Sequence, residues 1–305
     1  MEYYDFFAQK ISKERVFANE PMKNHTSFKT GGPADVLVVP DTAAELSAVA
    51  ADCRALGFPH MVIGNGSNLL FPDEGYRGVV IKTTGLNECA VGAGPARPSD
   101  DAVIIAGAGV SMAALADKAL EAGLTGFEFA SGIPGTLGGG VYMNAGAYGG
   151  EIKDVFLWAD VLTGDGITRL SAEDMQFGYR HSIIQDNGAV LLRACIALTR
   201  GVYEDIQAKM LDFGQRRRNT QPLEHPSAGS TFKRPEGHFV GTMIREAGLA
   251  GFTIGGAQVS EKHCGFVINK DGATSKDILD LIGHVQGVIM EKNGVWLEPE
   301  VRIVN

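Results

Sequence analysis

Apolar positions in this chain recur at two spacings, and the switch between them marks out the elements. In "TGGPADVLVVP", residues 30–40, a glycine turn leads into an apolar run that Pro40 ends, the pattern of a strand. In the following "DTAAELSAVAADCRALG", Leu46, Val49 and Ala50 recur at helical spacing, with Asp41 or Thr42 as cap and Gly57 where a closing glycine belongs. "PHMVIGNGSNLLF" predicts a strand running into a glycine turn, and "GVVIKT" a second strand. Residues 88–102 read as a hairpin excursion before the strand "AVIIAGAG" and the alanine-rich helix "SMAALADKALEAG". "VFLWADVLTGDGITRLS", with its "TGDG" turn, predicts a hairpin, and "AVLLRACIALTRG" a further strand. Helical patterns then dominate in "EDIQAKMLDFGQRRRNTQP", "FVGTMIREAGLAG" and "SKDILDLIGHVQGVIMEKNG", with strands expected in "HCGFVINKDG" and "WLEPEVRIVN". Residues 1–24 read as a helix and lead-in.

This order predicts an α+β chain with a boundary near residue 200 and a smaller α+β domain after it. No internal repeat of fixed period and no low-complexity linker interrupts it. Residues 126–152 stand apart: they are too rich in glycine for the interior of a regular element, and residues 129–150 carry no charge. An ordinary wandering loop is polar and charged, so this one is expected to be a set of turns built around something.

Composition sharpens that expectation. The chain has 305 residues, 45% of them apolar and 21% charged, and its 40 glycines are about twice the usual share. Such an excess asks for tight turns or close approach of backbone to a ligand. The net charge of −9 argues against a general nucleic-acid binder, which needs a basic surface. Cys53, Cys89, Cys195 and Cys264 show no CxxC spacing and read as buried thiols in a reducing compartment, with no metal site expected. No apolar run approaches the roughly 18 residues of a membrane span, so a cytoplasmic protein is expected.

"IGNGSNLL", residues 63–70, offers a turn that can aim backbone N–H groups at a pyrophosphate, or that is simply a hairpin. It matches neither the dinucleotide fingerprint nor the P-loop. "SGIPGTLGG" is more specific: Pro134 stiffens it, Gly132, Gly135, Gly138 and Gly139 allow close approach, and Ser131 and Thr136 add hydroxyl donors. "NAGAYGG" repeats that chemistry shortly after. Two small, neutral loops suggest a large planar ligand carrying a diphosphate.

The motifs "NHTSFKTGGPAD", "GNGSNLL", "SGIPGTLGGGVYMNAGAYGGEI", "YRHS", "PSAGSTFKRP" and "EPEVRI" occur in the order seen in the UDP-N-acetylenolpyruvoylglucosamine reductase family, which residues 24–303 of this chain resemble. The resemblance implies an FAD-binding fold of the vanillyl-alcohol-oxidase (PCMH) type over residues 25–197, in two subdomains of about 25–84 and 85–197. A smaller α+β substrate-binding domain, 198–305, would follow, its last strand returning Glu300 to the active site. It implies non-covalent FAD as cofactor, NADPH as reductant and a UDP-sugar as substrate. FAD contacts then fall on Gly64, Asn65, Gly66, Ser67 and Asn68, and on Ser131, Gly132, Ile133, Pro134, Gly135, Thr136, Asn144, Ala145 and Gly146. The catalytic arginine, serine and glutamate fall on Arg180, Ser230 and Glu300.

Taken singly, a "YR" suits a strand end, a serine in a turn suits a backbone cap, and "EVR" suits an edge-strand charge pair. Only their joint order assigns them. Arg216, Arg217 and Arg218 form either a solvated helix end or a contact to a nucleotide diphosphate, and His25 and His263 are structural or ligand-adjacent. Only 49 residues separate Arg180 from Ser230, so the chain resembles the class lacking the tyrosine-bearing insertion. Two other readings stay open: an FAD-dependent sugar or aldonolactone oxidase on the same scaffold, and a non-catalytic nucleotide-binding module.

Overall fold

A computed structural model describes residues 2–92 and 102–305. Its first sheet runs β1 (Val16–Pro21), β2 (Pro33–Val38), β5 (Tyr76–Lys82), β3 (His60–Ile63), with β4 (Leu69–Leu70) standing outside it. Helix α2 (Ala43–Leu56) starts at Thr42, whose Oγ1 accepts from the Glu45 N–H at 3.1 Å, and stops at Gly57 in the left-handed region. Alternation along the strands sends Val36, Val38, Val79 and Ile81 to one core with Leu46, Val49 and Phe7 of α1 (Glu2–Phe7). Leu37 and Val80 point the other way, onto Met22, Ile63 and Phe71.

The helix expected within residues 1–24 is α1, and the lead-in after it also forms a strand, β1. Only Val16 of β1 is fully buried, so the strand carries no alternating pattern. It exists through its antiparallel pairing with β2, from Val16 opposite Val38 to Pro21 opposite Pro33.

The second sheet runs β12 (Gly166–Ser171), β11 (Phe156–Thr163), β13 (Val190–Arg200), β7 (Ala102–Gly107), β6 (Cys89–Gly92), all antiparallel, with β8 (Leu124–Thr125) on the far end of β13. Strands β6 and β7 are the flanks of the expected hairpin; its turn, 93–101, lies outside the described residues. Helix α3 (Met112–Glu121) covers the inner face, where Ile104, Leu115, Phe127, Leu137 and Phe156 form the largest core.

The glycine-rich stretch also departs from expectation, since it contains a regular helix, α4 (Leu137–Tyr142). Thr136 caps it, and its glycines serve contact. A Cβ at Gly138 would press on the Ala108 carbonyl oxygen at 3.1 Å, and one at Gly140 would sit 2.9 Å from Met112 Sδ. Packing against β7 and α3 thus outweighs the ~1 kcal/mol per residue that glycine costs a helix. The remainder is turns, the small hairpin β9 (Gly146–Ala147) and β10 (Gly150–Glu151), and the single turn α5 (Ile152–Val155).

After α6 (Ile184–Asn187) and β13, helix α7 (Tyr203–Thr220) lies against α3 and the Glu128–Ala130 turn. Next come α8 (Val240–Glu246), the small sheet β14 (Thr253–Ile254), β15 (Ala257–Val259), β16 (Val267–Asn269), and α9 (Ser275–Asn293), with their own core of Ile244, Val259, Leu281 and Val285. Asp73, from the first sheet's side, accepts from the Ser275 and Lys276 N–H groups at 2.8 and 2.9 Å and so caps α9 across the two halves. The strand expected in "WLEPEVRIVN" shrinks to β17 (Arg302–Ile303), parallel to β4. Pro299 lacks the N–H a longer ladder needs, and Glu300 lies in the bend before β17. All four cysteines are free thiols, Cys53, Cys195 and Cys264 buried, and no described helix is long and apolar enough to cross a membrane.

Candidate active site

A cleft of about 1930 Å³ runs between the two sheets and the C-terminal half. Residues 64–68 and 131–136 line it, with Ala145 and Gly146 further along. The two glycine loops touch. A Cβ at Gly64 would collide with Thr136 Oγ1, and Asn65 Nδ2 donates to the Pro134 carbonyl at 3.4 Å. Gly66 has φ +62°, and any side chain there would also strike the His25 carbonyl.

Asn144 does not line the cleft. It is fully buried, its Nδ2 donating to Glu151 Oε2 and to the Gly178 carbonyl, both at 2.9 Å, while its Oδ1 accepts from the Lys153 N–H at 3.0 Å. It staples the glycine-rich segment to the turn that carries Arg180. That turn is strained: Arg180 has φ +55°, a region costly for a residue with a Cβ, and Gln185 Nε2 holds its carbonyl at 3.0 Å.

Arg180 and Glu300, far apart in the chain, meet with Nε to Oε1 at 2.7 Å, their side chains only 19% and 16% exposed. Burial pushes the Glu300 carboxyl above its ordinary range, against the opposite pull of Arg180 and Lys233. Ser230 is tied in through its neighbour: the Thr231 carbonyl accepts from the Glu300 N–H at 2.8 Å, and Thr231 Oγ1 accepts from the Val267 N–H at 2.8 Å. Phe232 and Pro299 continue the pairing. Glu300 is anchored from the other side, because Asn68 Nδ2 donates to its carbonyl at 3.0 Å.

Arg180, Ser230, His263 and Glu300 also line a second cavity of about 550 Å³, whose walls carry Arg234, Arg245 and Lys262. His263 Nδ1 accepts from the Gly265 N–H at 3.2 Å, and burial holds the ring's pKa below its ordinary value. Arg302 was not singled out from sequence. It lines the main cleft, its guanidinium 4.8 Å from the Tyr142 ring centre and its Nη1 3.3 Å from Gln185 Oε1. The available signal was its place two residues after Glu300, which in extended chain shares a face. Among the described residues no group of His, Cys, Asp and Glu is arranged to hold a metal.

Comparison with known proteins identifies relatives of the chain. Residues 34–171 match the family model "FAD binding domain", and residues 221–304 match "UDP-N-acetylenolpyruvoylglucosamine reductase, C-terminal domain". The chain is 52% identical over 298 residues to the UDP-N-acetylenolpyruvoylglucosamine reductase of Caldanaerobacter subterraneus subsp. tengcongensis, covering 97% of this chain and 96% of that one. It is 49% identical to that of Enterococcus faecalis, with the same coverage of 97% and 96%. The crystal structure of the Thermus caldophilus enzyme superposes with a TM-score of 0.78 at 32% identity, over 95% of this chain and 98% of that one. An alkyldihydroxyacetonephosphate synthase shares the fold over 66% of this chain and 40% of that one, at 15% identity and a TM-score of 0.50.

Asn144→Ala should remove the staple and leave buried backbone groups without partners, at about 1–3 kcal/mol each. We expect a loss of roughly 3 kcal/mol in urea unfolding. An unchanged midpoint would show that the glycine-rich segment holds its place without Asn144.

Proposed function

The chain belongs to the UDP-N-acetylenolpyruvoylglucosamine reductase family, and on that premise we propose that Arg180, Ser230 and Glu300 are its catalytic groups and that residues 64–68 and 131–136, with Ala145 and Gly146, hold its flavin. It is an FAD-dependent oxidoreductase with the vanillyl-alcohol-oxidase (PCMH) type of fold. It reduces the enolpyruvyl ether of UDP-N-acetylglucosamine-enolpyruvate to UDP-N-acetylmuramate, with NADPH as reductant, in peptidoglycan precursor synthesis. The oxidase alternative is not favoured.

The single observation that carries the catalytic assignment is the meeting of Arg180 and Glu300 at 2.7 Å beside the segment that carries Ser230. The cleft suits the cofactor. A Cβ at Gly135 would have only Ser67 Oγ near it, at 3.4 Å, so this loop leaves open room on the side that lines the cleft. Both ring nitrogens of His25 are engaged, by Glu20 at 2.9 Å and Lys82 at 3.0 Å, which supports flavin held without a covalent bond. Asn144 acts here by positioning. The cavity walled by Arg234, Arg245 and Lys262 has the charge to take the substrate's diphosphate. We divide the chain at about residue 198, with α7 bridging the two parts. A net charge of −9 and no apolar helix long enough to span a membrane support a cytoplasmic enzyme that does not bind nucleic acid.

Bound FAD would supply the redox chemistry, relaying a hydride equivalent from NADPH to the terminal methylene of the enolpyruvyl group and leaving the adjacent carbon to take a proton. Arg180 engages Glu300 through Nε, which leaves its two terminal nitrogens to grip the substrate carboxylate as charge builds there. Ser230 gives its proton to the carbon bearing that carboxylate. Its hydroxyl is a weak acid in water, but held beside a strongly basic enediolate it needs no better acidity. Ser230 is exposed to the cleft, so solvent restores the proton.

Ser230→Ala should keep its flavin and its NADPH half-reaction, while reoxidation by the enolpyruvyl sugar slows by at least about 10²-fold. Ser230→Cys should recover part of the rate, and product made in deuterated water should carry deuterium at that carbon. Wild-type turnover in Ser230→Ala would remove the serine from the mechanism.

Glu300 gives a second test. Burial already raises its pKa, and a substrate carboxylate arriving at Arg180 adds a like charge that raises it further. Substrate binding near neutral pH should therefore take up a proton in the wild type and less in Glu300→Gln. Calorimetry in two buffers of different ionisation enthalpy measures it; an apparent enthalpy independent of buffer would refute proton uptake at Glu300.

A further inference from the structure

Of the three consecutive arginines near the end of α7, two behave as ordinary surface cations. Arg216 Nη2 pairs with Asp212 at 2.8 Å, and Arg218 Nη2 donates to Gln215 Oε1 at 2.9 Å. Their charge suits a helix C-terminus. Arg217 turns inward. It crosses the second glycine loop so closely that a Cβ at Gly132 would lie 2.6 Å from its Nη1 and 3.2 Å from its Cδ. Its Nε is buried without a hydrogen-bond partner, and among the described residues no carboxylate pairs with it. One turn earlier on the same face, Phe213 stacks on Tyr148 with ring centres 4.5 Å apart and planes 5° apart, which closes the flank.

A permanent cation half withdrawn from water, with its Nε buried and unpartnered, is costly unless a ligand brings an anion to it. The other cations lining the cleft are otherwise engaged or exposed: Arg180 with Glu300, Arg302 with Gln185, Arg218 with Gln215, and Lys29 at the surface. The glycine loops themselves are uncharged and offer only backbone and hydroxyl donors. We propose that Arg217 is the counter-ion of the FAD diphosphate, docked from α7 across Gly132 onto a cofactor otherwise held by neutral groups. The proposal rests on the reading that this cleft takes FAD. It also gives α7 a role: the helix carries cofactor charge recognition across the junction between the two halves, and its neighbour Lys209 anchors it, 3.6 Å from the buried Glu128.

The test is titration of apoprotein with FAD and, separately, with riboflavin, which has the same ring system and no phosphate, followed by flavin fluorescence at several salt concentrations. Arg217→Gln should weaken FAD at least about tenfold, flatten the dependence on salt, and leave riboflavin unchanged. Arg217→Lys, which keeps the charge and loses the planar fork, should fall between. Equal weakening of both ligands would make Arg217 a packing residue and overturn the proposal. Unchanged FAD affinity with a raised KM for NADPH would overturn it in favour of the NADPH phosphates. A wild-type protein that takes up no FAD would fail at the earlier step, the assignment of the cleft, and is distinguished by that control alone.

Discussion

The return of the chain's end onto the first glycine loop is the constraint on which the site depends. Asn68 receives the Arg302 N–H at 3.0 Å and gives its Nδ2 to the Glu300 carbonyl, and Leu70 receives the Val304 N–H at 2.9 Å. Glu300 is thereby fixed beside a loop that lines the main cleft. Through Glu300, Thr231 fixes Ser230, and Arg180 closes the group from the third side. Apart from the Thr231–Glu300 bond inside the C-terminal half, each of these bonds joins segments more than a hundred residues apart, so the proposed acid, the proposed carboxylate grip and the cleft exist together or not at all.

Charge is distributed to match. The loops that line the cleft are neutral and small, which lets the backbone approach a bulky ligand and keeps electrostatic competition out of the ladder of N–H donors. The formal charges lining the cleft come from outside those loops, among them Arg180 on its strained turn, Arg217 and Arg218 on α7, and Glu300 and Arg302 near the C-terminus, with Lys29, Asp117 and Glu224 from other segments. The strain at Arg180 fits this arrangement, since a left-handed residue persists only where its surroundings over-determine it, and here Gln185 and Asn144 do so.

What the sequence disclosed follows from which forces were local. Helices α2 and α9 were legible because cap, period and closing glycine lie within one stretch. The hairpin of β11 and β12 was legible from its turn. Strand β1 was hidden because its pairing, not its side chains, defines it. Helix α4 was hidden because its glycines answer to Ala108 and Met112, residues distant in sequence. Arg180, Ser230 and Glu300 were singled out by motif order and not by any property each has alone, and the structure brings all three to one cleft. Asn144 was expected at the cofactor and instead holds the segment from beneath. Arg217 was indistinguishable from Arg216 and Arg218 until the direction of each side chain was known.

The chain couples NADPH oxidation to reduction of an enolpyruvyl ether. The most direct measurement is anaerobic absorbance of the flavin. NADPH should bleach it, the colour should stay lost without further addition, and UDP-N-acetylglucosamine-enolpyruvate should restore it rapidly while UDP-N-acetylmuramate appears in equal amount. Failure of NADPH to bleach the flavin, or a reduced protein that reoxidises no faster with the enolpyruvyl sugar than with oxygen alone, would contradict it.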